Sequence, residues 1–176
     1  MSEDAPTTGR HQLHRFFRHL ATDHGSVRRA FPKAALARIE AAIEEGETRH
    51  RGQVRFAVEP SLPLSRVLRR VTPRERALEV FGDLRIWDTE ENCGVLVYLL
   101  LADRDVEIVA DRGIHGHVGT AAWEAVCRKM ETAFRDGRFT EGVETGIAEI
   151  NALLARHYPR DGRAGDNELS NRPVVV

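Results

Sequence analysis

The sequence predicts an α/β fold, a three-layer α/β/α sandwich with a small mixed sheet and helices on both faces. Three observations carry this. The run Gly94-Val-Leu-Val-Tyr-Leu-Leu-Leu101 is almost wholly apolar, as a strand covered on both faces must be. Val54, Phe56 and Val58 on one side of it and Val106, Ile108 and Ala110 on the other alternate along the chain, the period of two that marks strands. The remaining long stretches repeat apolar residues at spacings of three and four, the helical period.

Taken in order, residues 1–10 read as a disordered leader. Leu13, Phe16, Phe17 and Leu20 then recur at helical spacing, with most His and Arg residues on the other face and Gly25 as a stop. A second helix opens near Pro32, since proline is tolerated where a helix has no use for its N–H. It carries Leu36, Ile39 and Ile43 inward and stops near Gly46. Pro60 and Pro63 end the first strand. Thr72-Pro73-Arg74-Glu75 is a capping box with proline in the first turn, so a helix follows with Ala77, Leu78 and Phe81 inward; a helical turn precedes it at Ser65–Arg70.

Asp103-Arg104 is a short charged turn, making the central run and Val106–Ala110 a hairpin. His115-Gly116-His117 reads as a solvated loop. Ala122, Trp123, Val126, Cys127, Met130 and Phe134 form the buried stripe of one helix, and Val143, Ile147, Ile150 and Leu154 that of the next, with Asp136-Gly137 between. Residues 11–159 form a single domain on this reading and 160–176 a C-terminal tail. The strand–helix–strand unit makes the first two strands parallel with a right-handed crossover, so Val95–Leu101 is central.

Composition bounds the function. With 26 Lys and Arg against 27 Asp and Glu, the formal net charge is -1, so no global field draws nucleic acid. The arginines from Arg66 to Arg76 lack the interleaved aromatics of a nucleic-acid surface. The longest apolar run, Val95 to Ala102, is far short of the ~20 residues that a membrane-spanning helix needs. No apolar signal segment opens the chain, and the expected location is cytoplasmic. Cys93 and Cys127 sit in apolar runs without a CxxC pair and read as buried free thiols.

Four segments together resemble the TPM domain family: Asn92-Cys93-Gly94-Val95-Leu96-Val97, Asp103-Arg104-Asp105-Val106-Glu107-Ile108, Gly113-Ile114, and the helix junction Asp136 to Gly142. The resemblance spans roughly residues 33–158. It implies the α/β/α fold. It also implies a choice of roles, because the family includes thylakoid-lumen proteins with phosphatase activity, membrane-associated receptor modulators and divalent-metal binders. Where the family pattern carries paired aspartates before its first helix, this sequence has Arg28 and Arg29.

No catalytic residue is singled out, since neither a Gly-x-Ser-x-Gly elbow nor a P-loop occurs. Parallel pairing of the first two strands brings Glu59, Asp103 and Asp105 to the carboxyl edge of the sheet, where ligands of open α/β sheets bind. These three carboxylates are the candidate ligands for a hard cation, Ca²⁺ or Mg²⁺. The arginines at the helix start oppose a cation, so weak or absent metal binding and no efficient phosphatase activity are expected. Asp88, Glu90, Glu91 and Asp111 form a second acidic group at the opposite edge. His11, His14 and His19 are assigned to the surface. The expected role is a binding or scaffold module acting through a protein partner, at a membrane's cytoplasmic face; the alternative is a metal-assisted phosphatase.

Overall fold

The computed structural model describes residues 6–160 and 167–176. Eight helices and four strands occur among them: α1 (Pro6–Ala21), α2 (His24–Ala30), α3 (Lys33–Glu47), β1 (Gln53–Glu59), α4 (Leu64–Leu68), α5 (Pro73–Asp83), β2 (Gly94–Leu100), β3 (Asp105–Ala110), α6 (Arg112–Val118), α7 (Thr120–Arg135), α8 (Phe139–His157) and β4 (Val174–Val175).

The sheet runs β3-β2-β1-β4. β1 and β2 are parallel, with Val54 opposite Val95 and Glu59 opposite Leu100, and β2 and β3 are antiparallel. Alternation sorts the side chains of β2 between two cores. Val95, Val97 and Leu99 join Ile39 and Ile43 of α3, Trp123, Met130 and Phe134 of α7, and Ile147, Ile150 and Leu154 of α8. Leu96, Tyr98 and Leu100 join Leu62, Val67 of α4, and Ala77 and Val80 of α5. The all-apolar sequence of β2 is explained by these two covered faces.

Gly94 opens β2 because nothing larger fits. A Cβ there would lie 2.1 Å from the carbonyl oxygen of Ile86. The Thr72 box forms as its sequence predicts: its side chain accepts from the Glu75 N–H, and the Glu75 side chain accepts from the Thr72 N–H.

The structure corrects several expectations, among them Leu78, expected inward on α5 but 51% exposed. The first helix stops at Ala21, and Gly25 lies inside α2, which opens on a capping box of Asp23 and Ser26. His115-Gly116-His117 is part of α6, capped by Asp111. The final valines, read as tail, form β4 parallel to β1, with Ala57 opposite Val174. Residues 161–166 of that tail, and residues 1–5 of the expected leader, lie outside the described residues; the chain is already helical from Pro6.

A further correction concerns the side that α1 presents. Its polar side is the one that meets the protein. The Gln12 amide donates to the Val67 carbonyl, Arg15 to the Val71 carbonyl, and His19 Nδ1 accepts from the Leu62 N–H. Phe16 alone of the four apolar residues packs inward. Leu13, Phe17 and Leu20 are 58%, 56% and 61% exposed.

Candidate functional site

Parallel pairing places Glu59 and the turn after β2 at one edge, stitched by the Leu101 N–H donating to the Glu59 carbonyl at 2.9 Å and the Ala102 N–H to the Pro60 carbonyl at 3.0 Å. The three expected ligands therefore share an edge, but each has a different environment.

Glu59 is buried, and its Oε2 accepts from Tyr98 Oη and Arg76 Nε, both at 2.8 Å. Burial, followed by the Glu59 carboxylate beside it, pushes the Tyr98 phenol far up from its usual range, so Tyr98 is a fixed donor. Asp103 is held by α1. Arg15 Nε lies 2.9 Å from Oδ2, Arg18 Nη2 lies 2.9 Å from Oδ1, and His19 Nε2 lies 3.2 Å from Oδ2. Burial works to raise the Asp103 pKa, but the contacts with His19 and Arg15 overcome it and hold the carboxyl below its ordinary value.

Asp105 stands apart from both. Its Oδ1 is buried with no hydrogen-bond partner. Burial first, then the nearby charges of Glu107, Glu131 and Asp103, push its pKa up to about 7.

A cage for a hard cation needs several free oxygens converging from rigid elements. Here Glu59 faces an arginine and a phenol, and Asp103 faces two arginines and an imidazole. Among the described residues, no three His, Cys, Asp or Glu side chains gather where a metal ion would be held. The residues at this edge do not fit the divalent cation that the family resemblance implies.

What the edge offers outward is positive. An open cleft of 420 Å³ is lined by Arg18, Arg29 and Arg104, by the hydroxyl-bearing Thr22 and Ser26, and by Phe139. Arg29 Nη2 donates to Ser26 Oγ at 2.8 Å, which leaves most of the guanidinium in solvent. Arg104, at the hairpin turn with φ of 54°, lies 6.0 Å over the Phe139 ring and has no ion pair among the described residues. Sequence reasoning pointed to Arg29, and to Arg28, which does not line the cleft, but did not single out Arg18, Arg104 or His19. His19, assigned to the surface, is buried at 3% exposure.

At the opposite edge two of the four acidic residues have structural partners, although Asp111 Oδ2 is buried without a hydrogen-bond partner among the described residues. Glu91 pairs with Arg51, and Asp111 caps α6. Cys93 and Cys127 are free, with thiols pushed up by burial to about 11 and about 12. Neither is a nucleophile at neutral pH.

The sequence pattern of the TPM domain matches residues 28–153, most of the chain. The chain belongs to the TPM domain family. Two solved structures have the same fold. The BA42 protein from the psychrophilic bacterium Bizionia argentinensis is 24% identical, with a TM-score of 0.71 over 83% of this chain and 95% of that one. The N-terminal domain of a protein from P. gingivalis is 17% identical, with a TM-score of 0.56 over 67% of this chain and 74% of that one. No curated protein matches the sequence. At such identities the two structures establish the TPM fold and nothing about its use. The matched segment opens at Arg28, so α1, which supplies Arg15, Arg18 and His19, precedes it.

Proposed function

We propose that this TPM domain is a binding module that acts through a protein partner at the cytoplasmic face of a membrane, receiving an acidic group of that partner in the arginine-rimmed cleft. One observation carries the reading. The carboxylate that would draw a cation, Asp103, is neutralised from within by Arg15 and Arg18 of α1, whereas Arg29 and Arg104 face the open cleft beside Ser26 and Thr22. Guanidinium groups recognise carboxylates in planar, paired hydrogen bonds, and the Phe139 ring gives the aliphatic part of a side chain a surface to lie on. Fluorescence anisotropy with a labelled oligoglutamate peptide tests this. Saturable, salt-sensitive binding is expected, weakened at least tenfold in Arg29→Ala/Arg104→Ala. Equal binding by the double variant would sink the proposal.

The phosphatase alternative requires a metal ion to polarise the phosphoester, and the pairing of Asp103 and Glu59 argues against one. We expect calorimetric titration with Ca²⁺ or Mg²⁺ to give weak heats or none, and an aryl phosphate to be turned over no faster than in buffer. Micromolar metal binding that disappears in Asp103→Asn would reverse the order of the two readings.

A further inference from the structure

The outward face of α1 is apolar, and its polar face is spent inside the protein. Gln12, Arg15 and His19 hydrogen-bond or pair with α4, its flanking turns and Asp103. Leu13, Phe17 and Leu20, spaced four and three apart, form one exposed stripe. A surface helix ordinarily buries such a stripe against its own domain. A contiguous exposed apolar strip marks a surface made for something else.

Charge indicates what covers it. No acidic residue occurs between Pro6 and Ala21. His11 and His14 are exposed on the same helix, as is Arg18, whose guanidinium also pairs with Asp103. On the turn that ends α4, against which α1 packs, Leu68 is 65% exposed, and Arg69 and Arg70 beside it are exposed without an ion pair among the described residues. Apolar side chains rimmed by basic ones suit the boundary between headgroups and acyl chains of an anionic bilayer. A second copy of the chain fits less well, because a symmetric contact on this stripe would bring the same basic rim against itself.

We infer that α1 is an interfacial helix that lays Leu13, Phe17 and Leu20 into an anionic lipid surface. This rests on the proposal that the domain acts at a membrane face, but it does not depend on the arginine cleft. On the bilayer the helix adds no fold of its own; it is held in place by Asp103 and presents its apolar side ready-made.

The test is flotation of the full chain with phosphatidylcholine vesicles, with and without phosphatidylserine. Binding is expected only to the vesicles that contain phosphatidylserine, and should weaken as salt is raised. Leu13→Ser/Phe17→Ser/Leu20→Ser should lose at least tenfold in vesicle binding while keeping its circular dichroism and oligoglutamate affinity. In Phe17→Trp, the added fluorescence should shift to the blue with these vesicles and stay unchanged with neutral ones. In the unaltered chain, oligoglutamate binding without vesicle binding would remove the lipid assignment alone; vesicle binding without oligoglutamate binding would remove the cleft alone. Unchanged vesicle binding by the triple variant overturns the assignment. So does self-association that the three serines abolish, which would make a second copy the occupant.

Discussion

A buried carboxylate must be paired or protonated, because an isolated charge away from water is too costly. The carboxyl edge holds both cases two residues apart. Asp103 is ionised by virtue of its guanidinium and imidazole neighbours, whereas Asp105 has no partner for Oδ1 and a pKa raised to about 7. The two have opposite signs in stability. For a raised carboxyl, the contribution to folding is complete below the unfolded pKa, here 3.8, and is lost as pH climbs through 7. Asp105→Asn should therefore leave stability at pH 4 nearly unchanged and raise it at pH 8 by about 1–2 kcal/mol, after discounting for the partial solvent exposure of the group. Urea titrations at the two pH values check this; a variant that loses stability at pH 8 would show that Asp105 has a partner when ionised. The sequence could bring Glu59, Asp103 and Asp105 to one edge, since strand order and pairing imply it. It could not show that Asp103 is occupied, because Arg15 and Arg18 lie 88 and 85 positions away and nothing local ties them to the turn.

Elements were legible in proportion to how local their signals are. The Thr72–Glu75 box stops and starts a chain direction within four residues, and α5 opens where it says. The broad stripes of α7 and α8 repeat over many turns, and their expected core residues are buried: Trp123 at 4%, Met130 at 1%, and Phe134, Ile147 and Leu154 at 0%. Ile147→Ala should accordingly cost about 2–5 kcal/mol in chemical denaturation; a loss under half a unit would put the stripe in solvent. Of the short elements, α4 was expected as a helical turn at Ser65–Arg70, but α2 and α6 escaped. α2 has seven residues and one buried side chain, Val27, although its Asp23–Ser26 box was there to be read. α6 has two histidines flanking a glycine, and only Ile114 is fully buried. In α1 the sequence showed the axis of amphipathicity but not the side the protein would take. That choice is made by hydrogen bonds that Gln12 and Arg15 donate to, and His19 accepts from, backbone groups of distant segments.

Across the whole molecule, β3 and β1 each have part of their outer side covered, as exposed edges invite pairing with other chains. Beyond β3, Arg74 Nη1 donates to the Ile108 carbonyl at 2.7 Å. Beyond β1 lies β4, with the Val176 N–H on the Val58 carbonyl at 3.0 Å and the Leu169 N–H on Gln53 Oε1 at 3.0 Å. Removing Val174–Val176 should lower the melting temperature and produce concentration-dependent association, measurable by light scattering; a shortened chain that stays monomeric would show that β1 needs no cover. The sheet order β3-β2-β1-β4 also contains a timetable. The β2–β3 hairpin closes across a four-residue turn. The β2–β1 pair must wait for the long crossover through α4 and α5, and β4 reaches β1 only after more than half the chain has been placed. Loop-closure entropy rises with each separation, and distant pairings slow the search. Refolding should therefore protect the amides of β2 and β3 first in pulse-labelled hydrogen exchange and that of Val176 last, so that β1 spends the interval with one side open. The period in which this chain is most able to join with another of its kind is then the gap between its second-last and its last strand.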